Sequence, residues 1–177
     1  MKIIENVLPV EQADFLEEML MSKTVQWSYI RDSSGTIPDG ERQFPSFSRP
    51  VVNMSEPHNK FPDREMWIRL DFPTETICKK AGLDVCSLSR IRLGMHVPDQ
   101  SWTSYHGPHR DQPGPHTVVL YYVNDSDGDT YFFDDDEKVI DRITPKKNTM
   151  VVFDGLTLHA SSYPTKGQRI TINYNFN

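Results

Sequence analysis

The chain has 177 residues, and its 25 Asp and Glu against 19 Lys and Arg give a formal net charge of −6. This length predicts one domain over residues 1–177, and the acidic balance argues against a nucleic-acid partner. The two cysteines do not make a disulfide framework, no apolar run is long enough to cross a membrane, and the opening residues lack the apolar centre of a signal peptide, so we expect a cytoplasmic protein.

The first third of the chain predicts a strand, a helix and a long loop. A short strand at IIENVL precedes a helix with Pro9 near its first turn, and an apolar stripe on this helix should cover a sheet face. The stripe consists of Val10, Ala13, Leu16 and Leu20. Residues 31–63 are rich in Ser, Gly, Pro, Asp and Asn, which predicts mostly loop with a short strand at VVN. This loop is either a lid over a binding site or a plain surface loop.

The rest of the chain predicts a second helical region followed by strands. Helical periodicity begins at REMWIRL, is interrupted at Pro73, and ends where Gly82 is placed as a cap. From residue 88 onward, six or seven short segments with strand character are separated by turns such as NDSDGD, PKKN and PTKG. Strands at this density indicate a β-sandwich or a barrel, so the predicted fold class is mainly β with packed helices.

The final strand, RITINYNF, alternates without a break. Its apolar positions are Ile170, Ile172, Tyr174 and Phe176, and its polar positions are Arg169, Thr171, Asn173 and Asn175. The polar face either meets water on an outer strand or lines a barrel cavity while the apolar face packs beneath the helices. The alternation alone does not choose between these two arrangements.

Three residues form a candidate metal site. His109 and Asp111 are two positions apart, so on an extended backbone both side chains project from one face and can reach the same ion. His159 follows a strand that is predicted to be buried. Two histidines and one carboxylate with open coordination positions are the arrangement that Fe(II) oxygen chemistry favours, whereas structural zinc prefers a closed site. We call these three residues the candidate triad.

Arg169 is a candidate for holding an anion near this metal. If His159 and Arg169 lie on strands joined by a short turn, the long guanidinium side chain can reach toward the metal, and a short dicarboxylate fits between them. Strict hairpin register would turn Arg169 to the opposite face from His159. This interpretation therefore requires a bulge or an irregular turn.

Taken in order, these segments closely resemble the Fe(II)/2-oxoglutarate-dependent oxygenases, especially the prolyl 4-hydroxylase-like branch. The resemblance rests on His109-Arg-Asp111, the segments TVVLYYVND and SDGDTYFFDD, the strand TMVVFDG leading to His159, and Arg169 ten residues later. It runs from about residue 89 to 176. It implies a double-stranded β-helix, or jelly roll, with N-terminal helices covering one sheet.

The resemblance also implies roles for individual residues. The candidate triad would ligate Fe(II), and Arg169 would bind the far carboxylate of 2-oxoglutarate. The Tyr122 hydroxyl would assist this arginine, and Thr171 is a weaker candidate on the same strand as Arg169. The implied reaction uses O2 and 2-oxoglutarate, with ascorbate in support, to hydroxylate a C–H bond of a small-molecule or peptide substrate and to release succinate and CO2.

Some positions depart from the family pattern. Asp127-Gly128 stands where relatives often have Gly-Gly, Asn148 stands where Gly is common, and Ala-Ser follows His159. These departures keep the candidate triad but argue against assuming a prolyl substrate. Two alternatives stay open: a non-catalytic jelly-roll module that binds a metal or another ligand, and a cupin-type metal enzyme that would not need Arg169.

Overall fold

Strands dominate the part of the chain that the structure describes, a computed structural model covering residues 1–33 and 43–177. Two helices, α1 (Val10–Met21) and α2 (Arg64–Ala81), are accompanied by a short 3-10 helix at Val85–Ser87. The strands are β1 (Lys2–Glu5), β2 (Ser28–Ile30), β3 (Ser46–Asn53), β4 (Leu88–His96), β5 (Thr117–Tyr122), β6 (Thr130–Phe133), β7 (Val139–Ile143), β8 (Thr149–Asp154), β9 (Leu158–Ser161) and β10 (Arg169–Phe176).

The strands form two antiparallel sheets. The major sheet has the order β1-β8-β5-β10-β4-β3-β2, and the minor sheet has the order β7-β6-β9. Residues 105–109 extend the minor sheet along β9 through isolated bridges from Tyr105 to Ser162 and from His109 to His159. Strands that follow each other in the chain, such as β8 and β9 or β9 and β10, alternate between the sheets. This is the jelly roll that the resemblance implies.

The final strand lies at the centre of the major sheet, between β5 and β4. Its apolar residues belong to the core beneath the helices, together with Ile91 and Leu93 of β4. Its polar residues face the interior between the two sheets and are mostly buried, with Arg169 at 3% exposure. The alternation of β10 therefore reflects an interior polar face, the second of the two arrangements considered above.

A smaller apolar core fills the space between the sheets. It is formed by alternate residues of β5 and β8 and by one residue of β6, namely Val118, Leu120, Tyr122, Val151, Phe153 and Phe132. The rings of Phe132 and Phe153 meet edge to face with 5.1 Å between their centroids, which joins the minor sheet to the major sheet. The remaining space between the sheets is the cavity described below.

Helix α1 covers the major sheet with the residues predicted from its stripe, except at its first position. Ala13, Leu16 and Leu20 are buried, but Val10 is 64% exposed. Val10 is the first residue of the helix and follows Pro9, so it lies at the end of α1 rather than over the core. The prediction for Val10 is therefore wrong, and the stripe begins one turn later.

Helix α2 is continuous, so the predicted interruption at Pro73 is wrong. It begins after Asp63, whose side chain accepts a hydrogen bond from Met66 N at 3.0 Å, and it ends at Gly82 in the left-handed conformation with φ of 76°. Pro73 removes one main-chain donor, but it lies on the buried face of the helix with Leu70. Packing of this face outweighs the local cost of proline.

Residues 31–63 contain more strand than their composition predicts. β3 has eight residues rather than a short VVN strand, and it pairs with β4 on one side and β2 on the other. The register shifts between Pro50 and Val52, where proline interrupts the ladder, which explains why the alternation is hard to read. The lid interpretation involves residues 34–42, which lie outside the described residues.

No helix in residues 1–33 or 43–177 is both long and apolar enough to cross a membrane.

Candidate functional site

An open-mouthed cavity lies between the two sheets. The polar faces of β4 and β10 line one side, and β9 with the segment that bridges to it lines the other. The candidate triad, Arg169 and Thr171 all line this cavity. Tyr122 is fully buried and is not part of the cavity wall. A concave site with apolar walls and a few converging polar groups is typical of small-molecule sites.

Main-chain pairing brings the two histidines of the triad together. His159 lies on β9, and His109 bridges to it from the neighbouring segment. The amide of His109 donates to the carbonyl of His159 at 3.0 Å, and the amide of His159 donates to the carbonyl of His109 at 3.1 Å. Their ring centroids are 4.8 Å apart. Two residues that are distant in sequence are therefore held in position by the backbone.

Hydrogen bonds to main-chain carbonyls orient both imidazole rings. His109 Nδ1 donates to Gly107 O at 3.1 Å, and His159 Nδ1 donates to Thr157 O at 3.0 Å. Because a carbonyl only accepts, the proton is on Nδ1 and each Nε2 presents a lone pair. His159 Nε2 lies 3.7 Å from Asp111 Oδ2. The ligand atoms of the triad all lie within 4.8 Å of one another, and no other group in the described chain has such spacing.

Both oxygens of the Asp111 carboxylate are anchored. Arg90 donates to Oδ1 at 2.9 Å, and Asn173 and Asn175 of β10 donate to Oδ2 at 2.9 Å and 3.2 Å. Burial alone would raise the pKa of Asp111, but the charges of His159 and Arg90 and the Asn173 hydrogen bond bring it well below its usual range. Burial lowers the pKa of His159 to about 4, despite the opposing charge of Asp111. Near neutral pH the triad thus offers one carboxylate and a neutral His159 ring.

Arg169 is a buried cation at the other end of the cavity. Its Nε donates to Gly128 O at 2.8 Å, and its Nη2 donates to Thr130 Oγ1 at 2.8 Å. No carboxylate among the described residues lies within 4.0 Å of its guanidinium. Burial lowers the pKa of Arg169, yet a guanidinium stays charged in proteins. Glycine is required at position 128, because a Cβ there would lie 2.8 Å from Ser162 O and 3.1 Å from Arg169 Cδ.

Tyr122 and Thr171 take different positions around this arginine. The Tyr122 hydroxyl donates to Thr130 Oγ1 at 2.8 Å, the same oxygen that accepts from Arg169, and its ring lies 5.9 Å from the guanidinium carbon. The Tyr122 hydroxyl therefore reaches Arg169 through Thr130, while the Tyr122 ring faces the guanidinium directly. Thr171 is the next cavity-facing residue along β10, and a Cβ added at Gly94 would lie 3.3 Å from its Oγ1. Because Gly94 has no side chain, the space next to the Thr171 hydroxyl stays open.

The predicted hairpin between His159 and Arg169 is wrong. β9 pairs with β6 in the minor sheet, whereas β10 pairs with β4 and β5 in the major sheet. The two residues face each other across the cavity because their strands belong to opposite sheets. The bulge that a hairpin would need is therefore unnecessary.

The other histidines near the cavity lie outside the triad. His96, paired in register with Arg169, is buried, and its ring centroid is 4.9 Å from that of His106. His106 stacks on Phe44 at 4.8 Å. His116 is buried against Gly155, where a Cβ would clash with the imidazole ring. His96 lines the cavity, but none of these three histidines belongs to the cluster of candidate metal ligands.

Sequence reasoning missed several groups that shape the site. In β4, Arg90 and Arg92 face the cavity while Ile91 and Leu93 face the helices. This period of two is the same signal as in β10 and identifies the polar face. Thr130 has no comparable signal, because only the fold places it beside Arg169.

Comparisons with known proteins bear on the family and the fold of this chain. Residues 95–177 match the sequence model of the 2OG-Fe(II) oxygenase superfamily. No curated protein matches the sequence. Solved structures that share the fold include a Trichoplax adhaerens prolyl hydroxylase in complex with a hypoxia inducible factor peptide, at 13% identity and a TM-score of 0.68, covering 99% of this chain and 82% of that chain.

Two further solved structures show the range of this fold. A Pseudomonas putida prolyl-4-hydroxylase has 13% identity and a TM-score of 0.60, covering 99% of this chain and 91% of its own. The non-heme alpha-ketoglutarate-dependent epimerase SnoN from nogalamycin biosynthesis has 12% identity and a TM-score of 0.62, covering 99% of this chain and 76% of its own. Residues 95–177 therefore belong to the 2OG-Fe(II) oxygenase superfamily, and the chain as a whole has a prolyl hydroxylase-like fold.

Proposed function

We propose that His109, Asp111 and His159 hold the Fe(II) ion and that Arg169 holds the far carboxylate of 2-oxoglutarate. The observation that carries this proposal is the donor set itself: two imidazole Nε2 atoms and one ionised carboxylate converge within 4.8 Å inside a cavity. Three ligands of this kind leave the remaining coordination positions open, as Fe(II) oxygenases require. The carbonyl contacts of both rings and the amide contacts of Asp111 are the supporting hydrogen bonds that metal ligands need.

Arg169 fits the cosubstrate because it is a buried cation that faces the cavity without a carboxylate partner in the described chain. A buried charge is costly unless it is paired, so an anion completes this position. Gly128 O and Thr130 Oγ1 fix the guanidinium, and Tyr122 holds Thr130 in turn. Thr171 lies on the path between the triad and Arg169, so it would contact the middle of the bound diacid.

Fe(II) and 2-oxoglutarate together supply an oxidation in which O2 is consumed, CO2 and succinate are released, and a substrate C–H bond becomes C–OH. The chain's own residues position the partners. Asn173 and Arg90 keep Asp111 aimed at the metal position, and Leu120 and Ala160 contribute apolar surface that limits water in the cavity.

Hydroxylation of a small-molecule or peptide substrate is the reaction that we favour. Two of the similar structures are prolyl hydroxylases, one of them in complex with a peptide. Epimerisation is the second candidate, because another structure with this fold is an epimerase. Superfamily membership and the buried Arg169 favour both over a non-catalytic module or a cupin-type enzyme that would not need this arginine.

We also propose that residues 1–177 act as one catalytic domain in the cytoplasm. β1 pairs with β8, so the first residues complete the same sheet that carries Arg169. Cys78 and Cys86 are free thiols, which suits a reducing compartment.

The proposal is tested by metal binding and cosubstrate turnover. The purified protein is loaded with Fe(II) under nitrogen, and 2-oxoglutarate is added while the visible charge-transfer band of an Fe(II) complex is followed. Succinate is then measured after O2 and ascorbate are supplied. We expect one Fe(II) per chain, a band that saturates with 2-oxoglutarate, and slow succinate formation.

His159→Ala is the decisive variant, and His58→Ala is its matched control because His58 lies on the exposed surface. We expect His159→Ala to lose both the band and succinate formation, while His58→Ala keeps them. Equal behaviour of the two variants, or unchanged Fe(II) binding in His159→Ala, would show that the triad is not the metal site.

A further inference from the structure

The cavity contains a third arginine, Arg92, that the proposed function does not use. Arg92 lies on the polar face of β4, paired with Asn173 of β10 on one side and with Pro50 of β3 on the other. Among the described residues that line the cavity, three are arginines and one, Asp111, is acidic. The interior is therefore rich in positive charge, although the net charge of the chain is −6.

Arg92 differs from Arg90 in its contacts. Arg90 donates to the Asp111 carboxylate at 2.9 Å. Arg92 donates from Nε to Ser48 Oγ at 2.6 Å, and within the described residues no carboxylate lies within 4.0 Å of it. No group among the described residues accepts a hydrogen bond from Nη1 or Nη2 of Arg92, which form one edge of its guanidinium. This edge matches the two oxygens of a carboxylate.

The position of Arg92 separates it from the cosubstrate. The hydrogen bond to Ser48 draws its side chain toward β3, which lies on the far side of β4 from β10. Arg169 pairs with His96, four residues along β4 from Arg92, so the two arginine backbones are about 13 Å apart at about 3.3 Å per residue. A five-carbon diacid bound between the triad and Arg169 would extend along β10, in the direction away from Arg92.

Charge balance indicates a second anion. Fe(II), Arg90, Arg92 and Arg169 would together carry five positive charges, whereas Asp111 and bound 2-oxoglutarate would carry three negative charges. Arg92 then adds to the positive charge of the cavity with only the Ser48 hydroxyl beside it. Burial, followed by the neighbouring charge of Arg90, lowers the pKa of Arg92, and the charge of Asp111 opposes this shift in part. A half-buried guanidinium in such surroundings is stabilised by an anionic ligand.

We propose that Arg92, supported by Ser48, binds a carboxylate group of the substrate that the enzyme oxidises. This inference rests on the proposed function, because it takes Arg169 as the cosubstrate position. The substrate is then an organic acid whose reacting C–H bond lies a few bonds from that carboxylate. A carboxylate fits better than a phosphate, since one guanidinium edge satisfies two oxygens and would leave further phosphate oxygens unpaired.

The test compares acids with their amides. Protein loaded with Mn(II), which supports binding without turnover, is saturated with 2-oxoglutarate and screened by melting temperature. The panel consists of small organic acids, the L-amino acids and their N-acetyl derivatives among them, each matched with its amide. We expect at least one acid to raise the melting temperature at a concentration where its amide does not. Calorimetry then gives the affinity of that acid.

Arg92→Gln is expected to weaken binding of this acid about tenfold or more, because a charge-assisted hydrogen-bond pair is lost. Arg92→Lys keeps the positive charge but loses the pair of guanidinium donors. Its affinity for the acid should therefore lie between those of the wild type and Arg92→Gln. Arg69→Gln, which removes an equal charge from the exposed face of α2, is the matched control and should bind as the wild type does. Melting temperatures without ligand establish whether each variant is folded. If Arg92→Gln does not fold, Arg92→Lys is used in its place to test the proposal.

Three results would overturn the proposal. The first is a panel in which no acid binds better than its amide. The second is an acid preference that persists in Arg92→Gln. The third is a loss of 2-oxoglutarate affinity in Arg92→Gln as large as in Arg169→Gln, which would assign Arg92 to the cosubstrate. Failure of the proposed function itself is recognised separately, because it abolishes 2-oxoglutarate binding by the wild type before any panel compound is added.

Discussion

The two sheets contribute unequally to the site. The major sheet is covered by helices on one face, and on the other its strands β4 and β10 present Arg92, Arg169 and the asparagines that hold Asp111. The minor sheet is smaller, its outer strand β7 is largely exposed, and it contributes His159 and Thr130. The major sheet thus provides most of the binding surface, and the minor sheet completes it.

This difference indicates where substitutions should impair binding at the site. Neither sheet alone contains a complete position for metal or cosubstrate. Asp111, held by β10, meets His159 of β9, and Arg169 of β10 is fixed by Gly128 and Thr130 at the start of β6. Changes at contacts between the sheets should alter cosubstrate binding, whereas changes on the helix side should alter stability alone.

The largest effect is expected from Arg169→Gln. Removing one partner of a buried charge pair costs about 3–5 kcal/mol, so the affinity for 2-oxoglutarate should fall on the order of a hundredfold or more. Titration of the Fe(II)–2-oxoglutarate band measures this affinity, with Arg69→Gln as the control of equal charge. A loss of 2-oxoglutarate affinity smaller than about threefold would contradict the assignment of Arg169. The major sheet would then contribute less to cosubstrate binding than we infer.

A smaller effect is expected from Thr130→Val on the minor sheet. Valine keeps the shape but removes the oxygen that accepts from Arg169 and Tyr122, which costs about 1–2 kcal/mol, or roughly tenfold in 2-oxoglutarate affinity. Tyr122→Phe leaves the contact between Thr130 and Arg169 in place and should cost only a few-fold. If the two variants rank in the opposite order, Tyr122 acts on the cosubstrate directly rather than through Thr130.

The smallest effect, and one confined to stability, is expected at the start of α2. Asp63→Ala removes the cap on Met66 N and the ion pair with Arg49, and should lower the free energy of unfolding by about 1 kcal/mol. Asp63→Asn keeps the cap and should cost less. Urea unfolding measures both, and 2-oxoglutarate affinity should not change in either variant. A change in that affinity would show that the helix side and the cavity are coupled.

The contribution of Asp63 to the free energy of unfolding depends on pH. Burial would raise the pKa of Asp63, but the hydrogen bond from Arg49 and the Met66 amide lower it overall. A lowered folded-state pKa means that this contribution is complete above the ordinary aspartate pKa of about 3.9 and is lost as pH falls through the folded value. The difference in unfolding free energy between the wild type and Asp63→Ala should therefore shrink below about pH 4. A difference that stays constant to pH 2 would exclude this charge effect.

Local patterns in the sequence were sufficient for much of the fold and the candidate site. The alternation in RITINYNF predicts the two faces of β10, and the spacing of His109 and Asp111 predicts that they share a face. The structure brings the triad within 4.8 Å, and the jelly roll agrees with the resemblance. These features are predictable because side-chain direction follows from the backbone period alone.

Pairing between distant segments was not predictable in the same way. His159 and Arg169 are close in sequence, so a hairpin is the natural reading, but the choice of partner strand depends on the whole chain. Pro73 illustrates the same limit, since its local preference is overridden by packing of α2. Thr130 contacts Arg169 only because β6 and β10 meet across the interior.

The place of β10 in the major sheet has a consequence for biosynthesis. It alone connects β1, β8 and β5 on one side with β4, β3 and β2 on the other, yet the ribosome delivers it after all of them. Until these residues emerge, the nascent polypeptide exposes two unpaired strand edges, on β5 and β4, which are favourable sites for aggregation. Completion of the sheet and assembly of the cosubstrate position that we propose at Arg169 then occur in one late step, so a partly synthesised chain lacks this position.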